Sequence, residues 1–211
     1  MRVGIVGAGK ISGQYSATLR AYPEMSVTAV ADLDQRRAAD LAAQHPGARV
    51  LDLAELCVSP DVDVVLNLTT PAGHAPVAIE AIKGGKHVYG EKPLAPALDE
   101  ARSILTAAAD AGLRVACAPD TVLGAGIQTA LGVLDARVIG RPHAATAFMT
   151  TPGHERWHPD PEFYYRPGGG PVLDMGPYYL TTLVHLLGPV RRVGGREIGR
   201  ASCRERVLRL V

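Results

Sequence analysis

The stretch Val3-Gly4-Ile5-Val6-Gly7-Ala8-Gly9-Lys10-Ile11-Ser12-Gly13 constrains the fold of this chain more than any other. Val3 to Val6 is an apolar run that predicts a buried strand. Gly7 and Gly9 follow as a tight turn, and a helical pattern begins at Ile11. Such a turn gathers backbone N–H groups and the positive end of a helix at one point, which suits a pyrophosphate. Gly7 allows the turn, and the missing Cβ of Gly9 lets phosphates approach the backbone. Ser12 holds the third position of G-x-G-x-x-G; it is small enough for helix–strand packing but departs from the strict pattern. Glycine turns of this kind also occur for structural reasons alone, so the rest of the chain has to decide.

Strand and helix patterns alternate from there. Helices are expected at Ile11–Ala21, Gln35–His45, Ala75–Lys83 and Leu98–Ala111. A further helix is expected to open on an Asp52/Glu55 capping box. Strands are expected at Val27–Ala31, Arg49–Leu51, Val62–Leu66, His87–Tyr89 and Arg114–Ala118. This order predicts an α/β fold with a doubly wound parallel sheet, whose ligands sit at the carboxyl ends of the strands. Gly7, Asp32, Thr69-Thr70-Pro71 and Glu91-Lys92-Pro93 all fall at such ends.

Asp32 closes the second strand, where an acid takes the adenosine ribose hydroxyls and repels the extra phosphate of NADP. NAD is therefore expected ahead of NADP. Arg36 and Arg37 read either as solvated helix residues or as partners for that phosphate. Lys92 stands between an acid and a proline at a strand end. A lysine held partly desolvated beside a nicotinamide can transfer protons; the alternative is a surface lysine on a turn. A cis Pro93 is expected to aim it.

The character changes at Pro119. A helix is expected over Ile127–Val138, a half-wet strand over His143–Thr150, a helix over Leu173–Leu187 and a strand over Val190–Val193. Asp174 and Tyr178, spaced i, i+4 on that helix, share a face and could form an acid–base relay facing Lys92, or be a helix acid and a core tyrosine. The loop from Thr151 to Val172 holds five prolines and several aromatics. Its His154-Glu155-Arg156-Trp157-His158 matches H-E-x-x-H, but Pro152, Pro159 and Pro161 deny it the helix that zinc chemistry needs, so no metal is expected. His154, Trp157, His158 and Tyr165 read as substrate-facing residues or as loop packing.

A hydrophobic fraction of 47% is that of an ordinary soluble globular chain, and a charge of +1 gives no sign of nucleic acid binding. No apolar run reaches the ~18 residues of a membrane helix, and the first strand leaves no room for a signal peptide, so a cytoplasmic protein is expected. Cys57, Cys117 and Cys203 are spaced for neither disulfides nor zinc. Ile198 to Val207 looks like a translated sequencing adapter. On that reading residues 198–211 are an artefact, the protein continues beyond Gly195, and the chain is a fragment expected to be inactive by itself.

The chain resembles the Gfo/Idh/MocA family, the glucose–fructose oxidoreductase and inositol dehydrogenase group. The resemblance is carried by Gly4–Ser12, Ala31-Asp32, Thr70-Pro71 with His74, Gly84–Leu94, and Gly169-Gly170 with Asp174–Tyr178. It implies a Rossmann NAD(P)-binding domain over residues 1–118. An incomplete α+β substrate domain of mostly antiparallel-sheet type would follow over residues 119–197. It implies hydride transfer between the nicotinamide and a sugar, polyol or related carbonyl compound. Two alternatives use the same fold: NAD-dependent glycoside hydrolysis or epimerisation, and dinucleotide sensing without catalysis. The family's catalytic lysine falls on Lys92 and its substrate-domain acid on Asp174. Tyr178 stands where the family often has histidine. Cofactor contacts fall on Gly7, Gly9, Lys10, Ile11, Asp32, Thr70, Pro71, His74, Glu91, Lys92 and Pro93. The resemblance also implies a homodimer or homotetramer.

Overall fold

The computed structural model describes residues 1–150, 156, 161–165 and 169–195. The chain divides into two compact units, the first Met1–Ala118 and the second beginning at Pro119.

The first unit is a six-stranded parallel sheet. Its strands are β1 Arg2–Val6, β2 Ser26–Ala31, β3 Arg49–Val50, β4 Val64–Asn67, β5 His87–Gly90 and β6 Val115–Cys117. They lie in the order β3-β2-β1-β4-β5-β6. The order reverses between β1 and β4, which opens a crevice at their carboxyl ends. Five helices connect the strands: α1 Ser12–Ala21, α2 Gln35–Ala42, α3 Leu53–Val58, α4 Pro71–Lys83 and α5 Leu98–Asp110. Strands covered on both faces read as continuous apolar runs, and Val3 to Val6 are all buried. Val3 and Ile5 pack with Val30, Ala38 and Leu41 in one core cluster. Val6 packs with Leu56, Val65, Ala78, Ala81 and Ile104 in the other. Small alanines on α2, α4 and α5 let those helices lie close to the sheet.

The capping box that opens α3 is present: the Asp52 carboxylate accepts the Glu55 N–H at 2.8 Å, and the Glu55 carboxylate accepts the Asp52 N–H at 3.1 Å. Asp34 caps α2 with its side chain alone, accepting from the Arg36 and Arg37 N–H groups. One boundary differs in a way that matters. Helix α4 starts at Pro71 rather than Ala75, because Thr70 is its N-cap and Pro71 fits the first helical position. His74 therefore stands in a helix, not in an exit loop.

The second unit contains a short 3-10 turn at Thr121–Leu123, helix α6 Ala125–Asp135, a second 3-10 turn at Glu162–Tyr165, α7 Pro171–Asp174 and α8 Gly176–Leu187. Two corrections apply here. Neither His143–Thr150 nor Val190–Val193 forms a strand; residues 141–150 and 190–195 carry no regular structure. Alternation becomes a strand only with a pairing partner, and the described residues of this unit supply none. The single helix expected over Leu173–Leu187 is broken at Met175. Pro177 has no N–H to return to the preceding turn, so the ladder stops and a new helix begins with proline in its first turn. Among the described residues no helix is long and apolar enough to cross a membrane.

Candidate active site

The site is built at the carboxyl ends of β1, β2, β4 and β5. At the end of β1 the Gly7 backbone turns with φ +101°, and a Cβ there would lie 2.7 Å from the Leu68 carbonyl group. The turn is thus pressed against the exit of β4, and its N–H donates to the Ala31 carbonyl at 2.8 Å. At Gly9 a Cβ would meet no atom within 4 Å. Lys10 and Ile11 are exposed, and no side chain caps the start of α1. Ser12 is buried, and its hydroxyl donates to the Gly9 carbonyl at 2.7 Å, so the third small position helps to close the turn.

Asp32 does more than stand ready for a ribose. Its Oδ2 accepts the Ala8 N–H at 2.6 Å and its Oδ1 accepts the Asp34 N–H at 2.8 Å. A carboxylate has about four acceptor positions, so capacity remains for two hydroxyl donors. Arg37 pairs with Asp34 at 3.5 Å, on the exposed start of α2.

At the end of β4 the sequence reading missed Asn67. Its side chain is 1% exposed. Its Oδ1 accepts from the Thr69 hydroxyl at 2.7 Å and the Thr69 N–H at 3.3 Å, and its Nδ2 donates to the His74 carbonyl at 3.0 Å. This one amide shapes the turn that presents Thr70 and Pro71. The signal available was a lone polar residue ending an apolar run just before Thr-Thr-Pro. His74 is 3% exposed, with Nδ1 2.6 Å from the Pro93 carbonyl and Nε2 3.1 Å from the Thr69 carbonyl. It bridges two strand-end turns from beneath.

At the end of β5 the Lys92–Pro93 peptide bond is cis. Glu91, Lys92 and Pro93 are half-buried. The Glu91 N–H donates to the Asn67 carbonyl at 3.0 Å. Its Oε2 accepts the Lys92 N–H at 3.2 Å, and its Oε1 accepts the Tyr15 hydroxyl at 2.7 Å. Tyr15 is a second residue the sequence reading passed over. The Cys117 thiol on β6 lies 2.9 Å from the Ala118 carbonyl and 3.4 Å from the Glu91 carbonyl. Burial, aided by the Glu91 charge and opposed by Lys92, pushes that thiol up to about 11.

The turns of the first unit therefore bring Gly7, Gly9, Lys10, Ile11, Asp32, Thr70, Pro71, Glu91, Lys92 and Pro93 to one edge, with His74 under it. In the second unit Asp174 ends α7, with its N–H on the Gly170 carbonyl at 2.9 Å, and Tyr178 lies in the first turn of α8. Asp174 and Tyr178 do not lie on the single helix expected, because Met175 separates α7 from α8. Tyr178 lines an open apolar hollow with Ile127, Tyr179 and Leu183. Tyr165 is 54% exposed and packs edge-to-face on the buried Tyr164, with ring centres 5.6 Å apart. His154, Trp157 and His158 lie outside the described residues.

Comparison with known proteins bears on this edge. Residues 1–118 match the model of an oxidoreductase family with an NAD-binding Rossmann fold, Gfo/Idh/MocA. Residues 127–200 match the model of a C-terminal domain of the same family. The chain is 29% identical over 211 residues to a dTDP-3,4-didehydro-2,6-dideoxy-alpha-D-glucose 3-reductase of Streptomyces antibioticus, covering 99% of this chain and 63% of that protein. It is 32% identical over 191 residues to a 1,5-anhydro-D-fructose reductase of Ensifer adhaerens, covering 88% and 56%. Among solved structures, a 3-ketoreductase of Actinomadura kijaniata in complex with NADP and TDP-benzene superposes with TM-score 0.79 at 28% identity, covering 89% of this chain and 57% of that one. The chain thus spans a little over half the length of these relatives. With both family models matched and the strand-end turns assembled on one edge, the chain belongs to the Gfo/Idh/MocA oxidoreductase family.

Proposed function

We propose that the protein carrying this chain binds NAD(H) at this edge and catalyses oxidation or reduction at a CH–OH or keto carbon of a sugar or polyol. The observation that carries the reading is the convergence of four strand-end turns, each with the residue type its role needs. Gly9 adds to it: nothing in the fold requires glycine there, whereas a close-lying pyrophosphate does. The uncapped start of α1 offers that group N–H donors and the positive end of a helix. Asp32 takes the ribose hydroxyls, and its charge disfavours a 2′-phosphate. The pairing of Arg37 with Asp34 supports NAD over NADP. The relatives named above are reductases of sugar compounds, which supports the substrate class.

When bound, the nicotinamide accepts or supplies the hydride. The chain's own part is the proton. Lys92, held at the end of β5 between Glu91 and Pro93, takes the hydroxyl proton in oxidation and returns it in reduction. Following the family resemblance, Asp174 and Tyr178 are proposed as a further acid and phenol in proton transfer. We read the whole protein as a homodimer or homotetramer, following the resemblance, and as cytoplasmic, following its composition.

The test offers the purified protein NAD⁺ with polyols and NADH with keto sugars, and follows nicotinamide absorbance. Lys92→Met is expected to lower turnover by about 10²–10⁴-fold, the usual contribution of a positioned proton carrier, while NADH binding is retained. Full turnover in Lys92→Met would remove Lys92 from the chemistry.

A further inference from the structure

We propose that Tyr15 is a positioning residue for Lys92: acting through Glu91, it couples the helix behind the glycine-rich turn to the turn that carries the lysine. The proposal rests on the reading of Lys92 as a group beside the nicotinamide.

Tyr15 lies on α1, six residues beyond Gly9, and its hydroxyl reaches 76 positions along the chain to Glu91 Oε1 at 2.7 Å. That carboxylate then holds the next residue's backbone, since Oε2 accepts the Lys92 N–H at 3.2 Å. The rest of Glu91 is anchored as well, its N–H on the Asn67 carbonyl and its own carbonyl 3.4 Å from the Cys117 thiol. On the far side of Lys92 the Pro93 carbonyl meets His74 Nδ1 at 2.6 Å. Lys92 thus stands between two fixed neighbours, and Tyr15 anchors one of them from the helix that follows the glycine-rich turn. The body of Tyr15 packs against the core cluster of Ile5 and Leu41. Phenylalanine keeps that packing and removes only the bond to a charged acceptor, the stronger kind of hydrogen bond. A carboxylate that loses this donor can rotate, and the turn it holds loses its fixed aim.

The experiment acetylates the 211-residue protein with acetic anhydride, with and without NADH, and follows Lys92 by peptide mass spectrometry. Lys83, whose side chain is 69% exposed, is the internal reference. In the native chain NADH protects Lys92 and leaves Lys83 unchanged. Tyr15→Phe is expected to cut that protection about tenfold, the lower end for a hydrogen bond to a charged group. ADP-ribose, which lacks the nicotinamide, is expected to bind both proteins equally, and Glu91→Gln is expected to reproduce the loss of protection. Native protection in Tyr15→Phe overturns the positioning role and leaves the reading of Lys92 standing. A parallel loss of ADP-ribose affinity also overturns it, because Tyr15 then merely supports α1. If NADH fails to protect Lys92 in the native chain, the reading of Lys92 falls and this proposal falls with it.

Discussion

At Gly7 a Cβ would collide with the Leu68 carbonyl group on a backbone at φ +101°, whereas at Gly9, two residues on, a Cβ would enter open space. The two glycines therefore predict opposite phenotypes. Gly7→Ala is expected to cost about 1–3 kcal/mol from backbone strain alone, with the clash added, and to lower the urea midpoint. Gly9→Ala is expected to leave stability within about 1 kcal/mol of native, since it relieves unfolded-chain entropy, and to weaken NADH binding. Equal stability losses at both positions would contradict the assignment of Gly9 to a ligand. This division was only half legible in the sequence. The glycine spacing assigned Gly7 to the turn and Gly9 to the phosphates, but the contact that fixes Gly7, with Leu68 at another strand's exit, was not legible. Tyr15 and Asn67 also escaped notice. Tyr15 acts through a hydrogen bond to a residue that only the tertiary fold brings near, and nothing local marks it, whereas Asn67 carried the signal of a lone polar residue ending an apolar run.

Elements of the first unit were readable because each carried its own signal. The Asp52/Glu55 box and the apolar strands are local features. In the second unit the helix break at Met175 was readable from Pro177 and was overlooked, whereas the two expected strands depended on partners that local alternation does not supply. Contacts between elements also set the pH response. Arg2, entering β1, holds Asp63, just before β4, by its N–H at 2.8 Å and by Nη2 at 2.6 Å. The guanidinium and these bonds hold the Asp63 carboxyl down at about 2. A folded value below the unfolded one gives stability that is present above about pH 4 and is lost as pH falls toward 2. Both side chains are well exposed, so salt weakens the pair. Asp63→Asn is expected to flatten this acid limb in low salt, and an unchanged limb would contradict the pairing. His45, buried against the Ser16 hydroxyl at 2.8 Å where α1 meets the end of α2, acts at milder pH. Burial first, and Arg20 second, hold its imidazole below the ordinary value. A folded His that resists protonation loses stability as pH drops below about 6.5, so thermal midpoints are expected to fall from pH 7 to pH 5 and to fall less in His45→Gln.

For the whole molecule, the edge where β1, β2, β4 and β5 end is proposed as a dinucleotide site, with Asp32 choosing NAD and Lys92 at its nicotinamide end. All of these residues lie in the first unit, so the claim is testable with this chain, even though it spans only 63% and 56% of its two reductase relatives named above. The direct measurement is calorimetric titration of the 211-residue protein with NADH and with NADPH, repeated with Asp32→Asn. The account predicts NADH binding that is tighter than NADPH binding, with the preference narrowed about tenfold in the variant, the weight of a hydrogen-bonded charge. Failure to bind NADH, or a preference for NADPH that Asp32→Asn leaves unchanged, would contradict it.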